Sequence, residues 1–249
     1  MSPNWINVRK PSHASYEMLV QEYWNWLLQE AEVVDNPKKK LDNGEGEVLF
    51  MRLIYGYGNR WDVNPQSLVP KISRTNVSAV NRMGADERSK LEYPRGMPIF
   101  LPVIDSCQSD YDRDASGMQL TPEMMNKILE AENNDAEQKI KSGSIRATIR
   151  RLDVGNTTPH DIVENLAEYR IGVPGGRLAT STFRIKVSEN SRLAQTLEYE
   201  FPRGKAVNAR AQGIYLVFEI AEPGHYQVRS SAKGLRDYKA YMNYYIHVT

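Results

Sequence analysis

The chain has 249 residues, and its 32 basic side chains nearly balance its 31 acidic ones. This near-neutral charge gives no electrostatic reason to expect a nucleic acid or an anionic membrane as partner. A single cysteine, Cys107, excludes an intramolecular disulfide and a zinc site built from several thiolates. The hydrophobic content of 41% is ordinary for a globular protein, and we expect one β-rich domain over residues 1–249.

Residues 1–36 predict an amino-terminal arm followed by a helix. The first residues lack the apolar core of a signal peptide, so we expect the protein inside the cell, or carried in a particle or complex. No run of about 18 apolar residues predicts a membrane span. From Ser15 to the breaker Asn36-Pro37, apolar residues recur at helical spacing: Tyr16, Leu19, Tyr23, Trp26 and Leu27. Val20, Trp24 and Leu28 widen this face, and we expect it, with both Trp24 and Trp26, to pack on a sheet.

Three features follow the helix. Residues 38–47, with three consecutive lysines, predict a solvated loop. The apolar run VLFMRLIY at 48–55 predicts one buried strand. Residues 60–90 are polar and basic without regular periodicity, and this length predicts an extended arm or a lid.

The stretch 91–117 joins an apolar strand to an acidic loop. A turn at Pro94-Arg95-Gly96 precedes the strand MPIFLPVI at 97–104. Because Pro98 and Pro102 cannot donate to a sheet ladder, we expect this strand at an edge or with a bulge. Four aspartates follow the strand: Asp105, Asp110, Asp112 and Asp114.

A helical insertion is predicted at residues 121–141, with Thr121 as cap and Pro122 at its first position. Residues 144–249 form a strand-rich half. Its strands are expected at 144–152, 168–173, 181–187, 213–220, 226–231 and 241–248. The turn Glu222-Pro223-Gly224-His225 predicts a hairpin over 213–231. Alternation in the last strand separates Tyr244, Ile246 and Val248 from Tyr245 and His247.

Several short motifs resemble an uncharacterised family of bacterial and archaeal proteins that are usually exported. They are a helix of type YWxWL at 23–27, a segment similar to PxGxPxFFPxxN at 94–104, and a carboxy-terminal PGxY hairpin that precedes a strand of type YxIxV. The resemblance implies a β-rich fold and no established activity. Asp105 stands where that family tends to have asparagine.

The acidic loop offers a calcium site. Asp110, Asp112 and Asp114 place oxygen ligands at alternate positions, the spacing that a calcium loop uses. An EF-hand is excluded, because the glycine, Gly117, comes two residues late and Thr121 stands at the twelfth position. An irregular calcium site and an exposed loop remain the two interpretations.

Carboxylate catalysis is a second hypothesis for the same loop. Asp105, at the end of a strand, with Asp110 or Asp112, could act as acid and base in glycoside hydrolysis. The four histidines supply no local metal motif: His13, His160, His225 and His247. No GxSxG elbow supports a serine nucleophile.

The sequence therefore predicts a mainly β, α+β fold: an antiparallel β-sandwich or jelly-roll-like domain with an amino-terminal helix and a helical insertion. We expect a non-enzymatic structural or binding module, a subunit of a larger assembly that has protein partners or self-associates. No cofactor is expected apart from calcium in the acidic loop. The alternative is a carboxylate-dependent, calcium-assisted hydrolase of glycans or glycoproteins.

Overall fold

The computed structural model describes residues 4–9, 13–29, 38–41, 46–51, 54–57, 92–113, 116–155, 158–171, 180–191, 194, 201–233 and 238–249. Within these ranges the helices are α1 (His13–Gln29) and α2 (Pro122–Lys141), with a 3-10 turn at Leu166–Tyr169. The strands are β1 (Ile6–Arg9), β2 (Lys38–Leu41), β3 (Gly46–Phe50), β4 (Ile54–Tyr57), β5 (Glu92–Tyr93), β6 (Ile99–Ser109), β7 (Arg146–Arg151), β8 (His160–Asp161), β9 (Arg170–Ile171), β10 (Phe183–Lys186), β11 (Ala206–Ile220), β12 (Gly224–Lys233) and β13 (Tyr238–Val248).

The strands form two sheets. In the first sheet the order is β1-β11-β6-β3-β2, and β9 and β10 also pair with β11. In the second sheet the order is β4-β13-β12-β7-β8, with β5 paired to β13. Strand pairs are antiparallel apart from β3 with β6 and β5 with β13. The predicted mainly β, α+β sandwich is therefore confirmed.

One apolar core lies between the two sheets, because alternate residues of each strand point inward. The first sheet contributes Leu101, Val103, Leu216 and Phe218, and the second contributes Ile149, Val228, Ile246 and Val248. A second core lies between the opposite face of the first sheet and α1. It contains Tyr23, Trp26 and Leu27 of the helix and Phe50, Phe100, Ile185 and Val217 of the strands.

Helix α1 is buried around much of its circumference. Trp24 is 4% exposed and Trp26 is 1% exposed, so the predicted packing of both tryptophans in the core is confirmed. The Trp26 ring lies 5.4 Å from that of Phe50, and the Tyr23 ring lies 5.3 Å from that of Phe100. Aromatic pairs at these distances add to the stabilisation from burial.

Strand β6 carries the predicted bulge. Its register with β11 shifts between Ile214 and Tyr215, because Val103 is an extra residue between Pro102 and Ile104. Since Pro102 has no N–H to donate, the interruption falls where the ladder is already incomplete. After the bulge the alternation of β6 is reversed, which decides where Asp105 points.

Three local predictions are wrong, two of them because turns and apolar runs do not specify which sheet a strand joins. The run 48–55 is divided between β3 in the first sheet and β4 in the second. Residues 213–231 are not a hairpin, because β11 and β12 lie in different sheets and the turn at 222–224 is a corner between them. Lys38–Leu41 is a strand paired with β3 rather than a loop.

Other predictions hold closely. Helix α2 begins at Pro122, where the Met124 N–H donates to the Thr121 hydroxyl at 3.3 Å. The strands expected at 144–152, 181–187, 226–231 and 241–248 correspond to β7, β10, β12 and β13. The expected strand at 168–173 is reduced to β9 after the 3-10 turn, and its last two residues lie outside the described ranges.

The predicted arm or lid at 60–90 also lies outside those ranges. In the described part of the chain, neither helix combines the length and the apolar character needed to cross a bilayer.

Candidate functional site

Asp105 lies inside the protein, on the α1-facing side of the first sheet. It pairs in register with Gly213, and Cys107, two residues further along, belongs to the core under α1. Asp105 is 4% exposed and Cys107 is 5% exposed. A substrate in solvent therefore has no direct contact with either side chain.

Tyr215 is a titratable neighbour of Asp105 on this face. Burial, reinforced by the Asp105 carboxylate, raises the pKa of the Tyr215 hydroxyl well above its usual value. That hydroxyl donates to the Gln212 carbonyl at 3.1 Å. These contacts fit a fixed, neutral tyrosine within the fold.

The carboxylates of the acidic loop take part in local hydrogen bonds. Asp110 accepts from the Asn208 backbone N–H at 3.0 Å and from its side-chain amide at 2.7 Å. Asp112 accepts from the Arg113 N–H at 2.7 Å. Asp110 thus fastens the end of β6 to the start of β11. Asp114 lies outside the described residues, so the calcium site stays a prediction.

The structure does not bring Asp105 together with Asp110. Asp110 follows Asp105 by five positions, which corresponds to about 16 Å along a strand. Paired glycosidase carboxylates are about 5 to 10 Å apart. Asp105 is buried under α1, whereas Asp110 lies at the partly exposed strand end. The hydrolase alternative stays a prediction without a geometric observation in its favour.

The second sheet presents a different surface on the side away from the core. Since Ala147, Ile149, Tyr226 and Val228 point into the core, the alternate residues point outward. We call this set the outer face: Arg146, Thr148, Arg150, Asp161, His225, Gln227, Arg229, Ser231, Tyr245 and His247. The described helices pack elsewhere, α1 on the first sheet and α2 on β6 and β11.

Two cross-strand contacts order the middle of the outer face. The Gln227 side-chain amide donates to the Tyr245 hydroxyl at 3.0 Å. The His225 and His247 rings stack with centroids 4.3 Å apart and planes 15° apart. Both pairs join directly opposite residues of β12 and β13.

The outer face carries excess positive charge. Arg146 donates to Asp161 at 2.9 Å, in an exposed pair. Arg150 and Arg229 have no acidic partner among the residues that the structure describes. Arg229 is exposed and Arg150 is half-buried. The face therefore offers two arginines beside a tyrosine and two imidazoles.

The sequence did not predict that these side chains form one surface. The alternation of the last strand placed Tyr245 and His247 on one side, which the structure bears out. Their partners on β12 depend on the register of β12 with β13, and the strand predictions alone do not fix that register.

Comparison with protein families, with curated proteins and with solved structures finds no match to this chain. The arguments for function therefore come from the geometry of the chain itself.

Proposed function

We propose that the protein is a non-enzymatic binding module that docks an acidic surface of a protein partner on its outer face, as one subunit of a larger assembly. The observation that carries the proposal is the pair of arginines, Arg150 and Arg229, without acidic partners in the described part of the chain. Arg150 lies directly opposite Gln227, which donates to Tyr245, and Arg229 lies two residues along β12 from Gln227.

The chemistry of the face favours a protein partner. Tyrosine and arginine are enriched at protein interfaces and account for many binding hot spots. The Gln227–Tyr245 hydrogen bond already holds both side chains in place, so less conformational entropy is lost on binding. Unpaired arginines also attract an acidic partner over a distance, and they bind carboxylates with two parallel hydrogen bonds.

The opposite side of the sandwich gives less support for docking. Helix α1 covers the first sheet and buries its aromatic side chains there. In the described part of the acidic loop, Asp110 accepts from Asn208 and Asp112 accepts from the Arg113 N–H.

A photo-crosslinking experiment tests the proposal. A photoreactive amino acid replaces Arg229 in the full chain, produced in the cells that normally make the protein. We expect a covalent adduct with one protein of defined mass, identified by mass spectrometry. In a second sample that also carries Arg150→Glu, we expect the adduct to decrease by about tenfold or more, since a like charge would face the partner's carboxylates.

Position 184 provides the matched control. Arg184 is exposed on β10 in the first sheet, so the same photoreactive residue there should not give this adduct. Equal adducts from both positions, or none from position 229, would contradict the proposal. An adduct of twice the chain's own mass would identify a second copy as the occupant and overturn the choice of a different protein.

A further inference from the structure

Thr148 lies at the centre of a cluster of charged side chains on the outer face. On β7 it is flanked by Arg146 and Arg150, which share its face because each is two residues away. On the neighbouring strands it lies directly opposite Arg229 of β12 and Asp161 of β8. Directly opposite side chains have Cβ atoms about 4.5 to 5.5 Å apart, and long side chains reach across the diagonals as well. The three arginines can therefore contact one group bound above Thr148.

The cluster has a surplus of positive charge. Arg146 is used within it, because its Nη2 donates to both carboxylate oxygens of Asp161, at 2.9 and 3.3 Å. Arg150 and Arg229 have no acidic partner among the residues with described positions. Three arginines and one aspartate leave two positive charges, and these belong to the two guanidinium groups that remain available to a ligand.

The cluster also offers ordered hydrogen-bond donors. Thr148 is half-buried, and within the described ranges its hydroxyl has no hydrogen-bond partner. Arg150 is half-buried too, and its Nε is enclosed by the protein, which restricts the movement of its guanidinium group. Side chains that are already restricted lose less conformational entropy when they bind a ligand.

We propose that Thr148, Arg150 and Arg229 bind one phosphate group, carried by a phosphorylated side chain of the protein partner. This proposal rests on the docking function above and names the group that is recognised. A phosphorylated side chain carries about 1.5 to 2 negative charges at pH 7 and three acceptor oxygens. Each guanidinium binds phosphate oxygens through two parallel hydrogen bonds, and the threonine hydroxyl donates a further one. A carboxylate, with one charge and two oxygens, uses only part of this donor set.

Asp161 limits the strength of this site. Its carboxylate lies opposite Thr148 and repels an anion there, and its hydrogen bonds hold Arg146 away from the ligand. Asp161→Asn removes the negative charge and releases the arginine, so this variant should bind phosphate more tightly. A gain in affinity requires a folded protein, so misfolding cannot produce this result.

NMR titration of the ¹⁵N-labelled full chain tests the site. The probe is a blocked peptide with one phosphoserine between glycines, and a second peptide has glutamate in place of the phosphoserine. We expect the phosphopeptide to shift the Thr148 amide signal and to bind about tenfold more tightly than the glutamate peptide. Equal affinities would overturn the choice of phosphate and leave carboxylate docking standing, because crosslinking at position 229 tests that function separately. Tighter binding of inorganic phosphate than of the phosphopeptide would overturn the assignment to a phosphorylated protein.

Four variants separate this site from the rest of the chain. Arg229→Gln and Thr148→Val should each weaken phosphopeptide binding by about tenfold, because each removes a hydrogen bond to a charged group. Asp161→Asn should strengthen it by about threefold or more. Arg184→Gln is the matched control, since Arg184 is exposed on β10 in the first sheet, and its affinity should equal that of the wild type. No binding by the wild type, unchanged affinity in either weakening variant, or no gain in Asp161→Asn overturns the proposal.

Discussion

The ring of Tyr215 lies over Gly213, two residues earlier on β11. A Cβ on residue 213 would lie 2.9 Å from Tyr215 Cζ and 2.9 Å from the Asp105 Cα, and closer still to the Ile104 carbonyl oxygen. Glycine at this position lets the bulged part of β6, the buried Asp105 and the tyrosine ring approach one another.

Gly213→Ala should therefore destabilise the protein by about 3 kcal/mol, because two of the three clashing groups are backbone atoms that side-chain rotation cannot move. Urea unfolding measures the change. Gly143→Ala is the comparison: residue 143 has φ +70° and open space around its Cβ position, so only backbone strain of about 1 kcal/mol is expected. A smaller loss at Gly213 than at Gly143 would contradict the clash.

The aromatic core under α1 should account for a large part of the stability. Trp26→Ala removes a side chain that is 1% exposed and packs against Tyr23 and Phe50. We expect a loss of about 3 to 5 kcal/mol in the free energy of unfolding. Met118→Ala, at a side chain that is 62% exposed, should change it by less than about 0.5 kcal/mol. Similar losses for both would mean that α1 is not packed as described.

Alkaline pH should destabilise the fold through its buried tyrosines. Burial raises the pKa of Tyr16, Tyr93 and Tyr215 above the ordinary value of 10.0. Because the pKa is raised in the folded state, the contribution of each neutral tyrosine to stability is complete below pH 10. This contribution is lost as the pH rises toward the folded-state pKa. Each such group lowers the free energy of unfolding by about 1.4 kcal/mol per pH unit in that window.

Tyr215→Phe should make the free energy of unfolding less dependent on alkaline pH, because one of the buried tyrosines no longer ionises. Urea unfolding at about pH 9 and about pH 11 compares the two proteins. At about pH 9 the variant should have a lower free energy of unfolding than the wild type, because the Gln212 carbonyl loses its donor. Between the two pH values, however, its free energy of unfolding should fall by less. Parallel pH profiles for both proteins would show that Tyr215 ionises equally in the folded and unfolded states.

Arg151 joins the corner between the two sheets. It donates to Asp153 at 3.1 Å, to Glu222 at 2.5 Å and to the Pro223 carbonyl at 3.0 Å, and its side chain is 22% exposed. Arg151→Met should cost about 1 to 2 kcal/mol at neutral pH. Arg146→Met, which breaks an exposed pair with Asp161, should cost less than about 0.5 kcal/mol.

The stability change caused by Arg151→Met should also depend on pH in the acidic range. Burial is the largest single influence and opposes ionisation of Asp153, yet the hydrogen bond from Arg151, a backbone hydrogen bond and the nearby positive charge together outweigh it and lower the pKa of that carboxyl below 3.8. A lowered folded-state pKa stabilises the protein above pH 3.8, and the stabilisation disappears as the pH falls through the folded-state value. The difference between wild type and Arg151→Met should therefore shrink at about pH 3, as measured by urea unfolding. A difference that is constant with pH would exclude this ion pair as its source.

Local sequence patterns were sufficient for the helices, for most strands and for the bulge. The spacing of Tyr16, Tyr23 and Trp26 predicted α1, and Thr121 with Pro122 predicted the start of α2. These features depend on neighbours within a few residues, so the chain encodes them directly. Pro102 likewise required either an edge position or a bulge for β6.

The tertiary structure decided which sheet each strand joins and which side chains meet. The turn at 222–224 reverses the chain equally well in a hairpin or at a corner between sheets, and only packing of both faces selects the corner. The bulge at Val103 turned Asp105 toward α1. His225 and His247 meet because the register of β12 and β13 aligns them. Register depends on burying a whole face of apolar residues, a non-local energy that no short stretch of sequence contains.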